Sequence, residues 1–291
     1  MPNWNVTSLA DMSPTSSPHF RILEDIARDL SGEVNFPTCM DAAILVRNTL
    51  RDPYASLPRV VQVIGVEPLI SSKLLKLANS VAYNPSGRSI TELSPAISRL
   101  GFEVVRTTSL AVAMDQMLKS RNLSAFDDIS HNAWEHSVRV AAIARVLARR
   151  IGRINPDEAM LAGLVHDIGI FYLLYRAAEY PEYRQNPATI IELISGWHEG
   201  IGESLLHILG LPERITDAVR DHDRLQNVET PCSVRDVLYF ANLLAGWDSE
   251  WLPHPDDEQE AATRASDRER YADLVEEAED DIAELRAALS V

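Results

Sequence analysis

Ala162-Gly163-Leu164-Val165-His166-Asp167-Ile168-Gly169 is the stretch on which the reading of this chain turns. An apolar helical run ends in a histidine followed directly by an aspartate. An imidazole nitrogen and a carboxylate oxygen therefore leave one helix end side by side. A divalent metal needs such lone-pair donors, converging from elements that the fold brings together. Steps of 30, 32 and 24 residues separate His136, His166, His198 and His222. Each falls on a different predicted helix or helix end. Taken singly, a helical histidine is more often a satisfied core or surface residue than a ligand. Taken together, the four and Asp167 form a candidate metal site.

Around this stretch the composition sets bounds. The 291 residues suit one large or two medium domains, and 46% hydrophobic content supplies a core. The formal net charge is −16, which argues against a nucleic-acid surface, since that needs clustered cations. The acid is concentrated: residues 254–291 hold thirteen Asp/Glu against four Arg, which is −9 of the −16. Cys39 and Cys232 stand far apart and in no ligand spacing, which predicts a reducing compartment and no disulfide framework. The first twenty residues lack a basic region followed by an apolar one, so no signal peptide is read there. No uninterrupted apolar run approaches ~18 residues, so no membrane span is read. The expectation is a soluble, cytoplasmic, prokaryotic protein.

Along the chain, Ser, Pro, Thr and Asn dominate a leader over residues 1–19. Phe20 to Leu30 has a helical apolar face that Gly32 ends. Pro37 opens a second helix to Leu50, and Asp52-Pro53 interrupts it. Ser56 with Pro58, and then Glu67-Pro68, start two more. Asn79 to Tyr83 closes the latter, with Asn79 and Ser80 read chiefly as capping groups and less as ligand contacts. Ser94-Pro95 begins a helix that Gly101 breaks, before a long apolar one over about 103–118. Residues 119–129 are polar and without helix punctuation, and they mark the candidate boundary between two lobes, 20–125 and 126–252. Beyond it, Asn132 to Arg150 reads as a long helix with Trp134, Val138, Ala141, Ile143, Val146 and Leu147 in the core. Asn155-Pro156 starts the helix that ends at His166-Asp167. Asn186-Pro187 starts the one that carries His198, and a further helix ends near His222. Ser233 with Asp236 is a capping box for a last core helix to Trp247. In the acidic tail, 253–291, Tyr271, Val275, Ala278, Ile282, Leu285 and Leu289 form a short heptad-like seam. It suits packing on the chain's own body and pairing with a second copy equally well. Arg139, Arg145, Arg149, Arg150 and Arg153 cluster at one helix end. They read first as a solvated face that complements the helix dipole. Arg139 and Arg145 are the candidates to meet a ligand phosphate.

The His-Asp stretch, with His136 some thirty residues upstream, resembles the HD superfamily of metal-dependent phosphohydrolases. By that resemblance His136 is the first ligand and His166-Asp167 the central pair. Two-metal members of that superfamily carry additional histidine ligands, for which His198 and His222 are the candidates. The closing aspartate falls at Asn242. The N-terminal half narrows the resemblance to the HDOD (HD-related output domain) family. It does so through Leu74-Leu75-Lys76-Leu77-Ala78-Asn79-Ser80 and Ser94-Pro95-Ala96-Ile97-Ser98-Arg99-Leu100-Gly101. Trp134-Glu135-His136-Ser137, His198-Glu199-Gly200-Ile201-Gly202 and Leu211-Pro212-Glu213 add to it. HD-GYP cyclic-di-GMP phosphodiesterases carry a lysine where this chain has Ile170, and a Gly-Tyr-Pro that it lacks, so they are excluded.

The resemblance, over roughly residues 20–250, implies an all-α fold, with an N-terminal multi-helix lobe on an HD-like lobe, to which the tail's own pattern adds an acidic C-terminal helix. It implies a stand-alone bacterial signalling module that binds a partner protein or small nucleotide-type ligand without turnover, with homodimerisation open. The alternative is a metal-dependent phosphohydrolase acting on a nucleotide or cyclic dinucleotide, using Fe, Mn, Mg, Ni or Zn.

Overall fold

A computed structural model describes residues 18–31, 40–52, 54–85, 87–119, 121–246 and 258–289. Residues 1–17 of the leader, Gly32, Pro37, Cys39, Pro53 and Trp247 lie outside the described residues, as does the start of the acidic tail. Every regular element among the described residues is helical.

The first helices follow the sequence closely. They are α1 (Pro18–Ser31), α2 (Asp41–Leu50), α3 (Leu57–Gly65) and α4 (Pro68–Ala78). Proline stands in the first turn of both α3 and α4, where its missing N–H costs nothing. Asn79 caps α4 as read. Its Nδ2 donates to Leu75 O at 2.8 Å and to Ile90 O at 2.7 Å, and its Oδ1 accepts from Ile90 N. The next helix, α5 (Leu93–Leu118), begins two residues before the predicted start, with Glu92 as N-cap. It bends at Gly101, where φ is +79°.

The polar segment after α5 differs from its reading. It is a 3₁₀ turn, Arg121–Phe126, leading directly into α6 (Asp127–Ile151). Leu123 and Phe126 are fully buried and pin the turn. Asp127 and Asp128 sit in the first turn of α6, at the positive end of its dipole, and supply the punctuation overlooked in the sequence. All six core residues read for α6 are buried.

Then come α7 (Pro156–Val165), α8 (Ile168–Ala177), α9 (Pro181–Gln185), α10 (Ile190–Ile208), α11 (Glu213–Val219) and α12 (Val234–Ala245). Asn155 accepts from Asp157 N at the start of α7. Ser233 and Asp236 form the predicted capping box of α12. The stretch Pro156–Ala177 is long and apolar enough to cross a membrane, but it is packed inside the protein and turns at His166-Asp167. The chain ends in α13 (Glu258–Arg270) and α14 (Asp273–Leu289).

α6 is the central helix, packed against α7, α12 and α14. Two glycines set how closely its surroundings approach. A Cβ on Gly163 would lie 2.7 Å from Ala141 Cα, so α7 lies backbone to backbone on α6. A Cβ on Gly169 would lie 2.0 Å from His198 O, so α8 does the same on α10.

α14 packs on its own chain. Leu274, Ala278, Ile282, Leu285 and Leu289 are buried, against α6, α4 and α5. Its acids meet the arginines of α6: Asp281 with Arg145 and Arg149, Asp273 with Arg150, and Glu279 with Arg139. The guanidinium of Arg145 lies 4.3 Å above the Tyr83 ring, and Tyr83 donates to Asp157 at 2.8 Å. Burial pushes the Tyr83 phenol up, and it stays neutral. This knot ties the turn after α4 to α6, α7 and α14.

Candidate metal centre

The sequence spreads the site over more than a hundred residues, and the fold gathers it. α6 carries His136. His166 ends α7 and Asp167 begins α8, so the turn between them aims both side chains one way. α10 carries His198, the turn after α11 carries His222, and α12 carries Asn242. Neighbouring imidazole rings lie 5.2 Å (His136 and His166), 4.8 Å (His166 and His222) and 5.4 Å (His198 and His222) apart, all edge to face. Nitrogen and carboxylate atoms of His136, His166 and Asp167 all fall within 4.8 Å of one another, as do those of Asp167, His198 and His222. Asp167 belongs to both groups.

Three of the rings are held from behind. Nδ1 of His166 donates to Gly163 O at 2.7 Å, Nδ1 of His198 to Ile194 O at 2.7 Å, and Nδ1 of His222 to Val219 O at 2.8 Å. These carbonyls fix ring orientation and leave Nε2 facing inward, as metal-binding histidines require. The carboxylates wait there. His166 Nε2 is 3.2 Å and His222 Nε2 3.3 Å from Asp167. Those approaches lack the alignment of hydrogen bonds, and the Nε2 atoms of His166, His198 and His222 are buried without a hydrogen-bond partner. Orphaned buried nitrogens are costly, and a divalent ion is the kind of group that would satisfy those within its reach.

Asp223 is the residue the sequence reading passed over. Its Oδ2 lies 3.2 Å from His198 Nε2, and its Oδ1 is 3.0 Å from the amide nitrogen of Asn242. The signal was present: His222-Asp223 repeats the His166-Asp167 dipeptide. Asn242 also meets His136, with Oδ1 2.8 Å from its Nε2.

Burial and charge divide the titratable groups. Burial, helped by the nearby His166, lowers His136 to about 4, so it is neutral. Burial also disfavours charge on His222, but Asp223 and Asp167 outweigh it and raise His222 to about 10. His198 is raised too, because its contact with Asp223 outweighs its burial. Asp167 and Asp223 are held below the ordinary carboxylate range, the imidazoles beside them overcoming their burial. In the absence of a metal, a proton on His222 neutralises part of the paired acid.

The two ligand-binding candidates lie elsewhere. Arg145 is 4% exposed, between Asp157 and Asp281. Arg139 reaches Ala245 O and Glu279. Their charge is committed to the chain itself.

The fold has relatives among solved structures. A protein of Shewanella amazonensis SB2B, provisionally described as a metal-dependent phosphohydrolase, superposes with a TM-score of 0.69 at 23% identity, over 94% of this chain and 99% of that one. An HDOD domain protein from Geobacter sulfurreducens gives 0.58 at 22%, over 91% and 96%. One from Marinobacter aquaeolei VT8, provisionally described as a signal transduction protein, gives 0.57 at 19%, over 96% and 68%. At these identities the likeness speaks for the fold alone. No curated protein matches the chain. The model of the HDOD domain, however, matches residues 36–225, which hold every histidine of the centre as well as Asp167 and Asp223. By that match, and by the helical fold that carries it, the chain belongs to the HDOD domain family.

Proposed function

We propose that this chain is a signalling module of the HDOD family that carries a divalent metal ion in a closed centre and acts by binding, without turnover. One observation supports this above all. The inward Nε2 atoms of His166, His198 and His222 lack hydrogen-bond partners, as vacant ligand positions do, yet none of His136, His166, Asp167, His198, His222 and Asp223 is more than 6% exposed, and only Asn242 beside them is partly exposed. A catalytic ion keeps a position open to water and substrate. A phosphoester would have to pass these buried side chains to reach the ligands.

His166, Asp167, His198 and His222 would hold the ion. Imidazole with carboxylate suits Fe, Mn, Ni or Zn better than Mg, which prefers oxygen ligands and retained water. Bound there, the ion would join the ends of α7, α8 and α11 to α10. Its presence or loss would then alter the surface that a partner protein or small nucleotide-type ligand reads.

The phosphohydrolase reading keeps one specific support: three imidazoles and a carboxylate in one site are a donor set that lets a divalent ion lower the pKa of a bound water. The experiment that separates the readings is metal analysis with turnover on a panel of phosphoesters. It uses the full chain and its His166→Ala and Asp167→Ala variants. The module reading expects stoichiometric metal that both substitutions remove, and no hydrolysis. Metal-dependent hydrolysis abolished by both substitutions would overturn it.

A further inference from the structure

Which atoms of this centre can bind an ion depends on which nitrogen of each ring carries hydrogen. A backbone carbonyl only accepts. The Nδ1 atoms of His166, His198 and His222, each within 2.8 Å of one, must therefore carry hydrogen. In the neutral ring the lone pair then sits on Nε2, facing the centre.

His136 is wired in the opposite sense. Its Nε2 faces Oδ1 of Asn242 at 2.8 Å. The amide has no choice of orientation, because its other end lies 3.0 Å from Oδ1 of Asp223. An ionised carboxylate only accepts, so the amide NH2 must face Asp223 and the amide oxygen must face His136. His136 Nε2 is thus the donor, and the ring's lone pair sits on Nδ1, not on the nitrogen that faces Asn242.

Asp223 shows the complementary behaviour. Asn242 holds one of its oxygens, and the other lies 3.2 Å from His198 Nε2. The first oxygen is also 3.6 Å from His222 Nε2. Its backbone N–H donates to Glu199, and Arg264 of α13 donates to its carbonyl at 2.7 Å. The carboxylate is buried and fixed from three directions.

We propose that Asp223, and not His136, completes the metal-ligand set of this chain, and that Asn242 is a positioning residue that holds Asp223 inward while it ties up His136. The proposal rests on the reading that the centre holds a divalent ion.

The test uses the full chain, stripped with chelator and titrated with Co(II), and reads bound metal and the visible absorption of the Co(II) complex. Asp223→Asn is expected to weaken binding by more than about tenfold, the scale on which even outer-shell partners act, and to change the spectrum. His136→Gln can still donate to Asn242, and is expected to keep both the affinity and the spectrum. Asn242→Ala releases His136 and loosens Asp223, so its Co(II) band is expected to move. A merely structural role for Asn242 would lower the melting temperature and leave the band in place. Loss of metal with His136→Gln, or full retention with Asp223→Asn, overturns the assignment while the metal reading stands. A wild-type chain that takes up no Co(II), Mn(II), Fe(II) or Zn(II) overturns both. Should Asp223→Asn fail to fold, Asp223→Glu keeps the charge and moves the oxygens by one methylene. A displaced band then supports the assignment, and an unmoved band overturns it.

Discussion

At the scale of single residues, the centre depends on groups whose importance a sequence conceals. Gly169 is visible in the motif, but not the carbonyl of His198 that lies against it. A methyl group there meets backbone, which cannot rotate aside. Gly169→Ala should therefore cost at least the ~1–3 kcal/mol typical of overpacking, read as a lower urea midpoint; a midpoint equal to wild type would falsify the close crossing. The ligand candidates His136, His166, Asp167, His198 and His222 were legible as spaced donors, and the family resemblance pointed to Asn242, which the fold brings against His136. Asp223 was missed because one acid among 43 stands out only by repeating the His-Asp dipeptide after His222. Only its place after His222, and what the fold puts opposite it, distinguish it.

At the scale of elements, the two C-terminal helices are attached by different physics. α14 buries an apolar ridge, and Ile282 within it is 1% exposed. Ile282→Ala should cost about 2–5 kcal/mol, the range for truncating a buried aliphatic side chain. Arg150→Ala, which removes half-exposed ion pairs to Asp273 and Glu277, should cost about 1 kcal/mol or less. Chemical denaturation of the two variants would show the ratio, and equal losses would mean that charge rather than burial docks the helix. α13 buries no apolar side chain. It is held by Tyr239 on the buried Asp267, and by Arg264, Arg268 and Arg270 on backbone carbonyls. Tyr239→Phe should speed amide exchange across 258–270 and leave α14 protected. The ridge of α14 was legible as a repeat, but a repeat does not say what it faces. α13 was not legible, because an element without an apolar period offers nothing to count.

At the scale of the whole molecule, metal and pH should act on stability through the same few side chains. In the metal-free protein His136 has fallen from 6.5 to about 4. The unfolded chain takes up that proton first, so stability drops as pH falls from 6.5 towards 4. His222 has risen from 6.5 to about 10. The folded chain keeps a proton that the unfolded one has lost, so this contribution is full below 6.5 and fades as pH rises through 10. Urea midpoints with chelator present should peak near pH 6.5, and a steady climb from about pH 5 to about pH 9 would contradict the assignment. Metal at a hundredfold over its dissociation constant should add about 2.7 kcal/mol, an increment absent from His166→Ala. The order of helices was legible from caps, prolines and periodicity. Their convergence was not, since His136 and Asn242 meet across 106 residues and local pattern carries no record of such distances.

Gly163 and Gly169 bracket the His166-Asp167 pair, and both serve helix crossings. A descendant stripped of every ligand would still need them to assemble. The octapeptide is therefore two messages overlaid, one mechanical and one chemical, and natural selection can erase the second without disturbing the first. Whoever meets these eight residues in another genome learns how four helices cross. If Asp223 completes the ligand set, the counterparts of Asp223 and Asn242 are the positions to read next for metal.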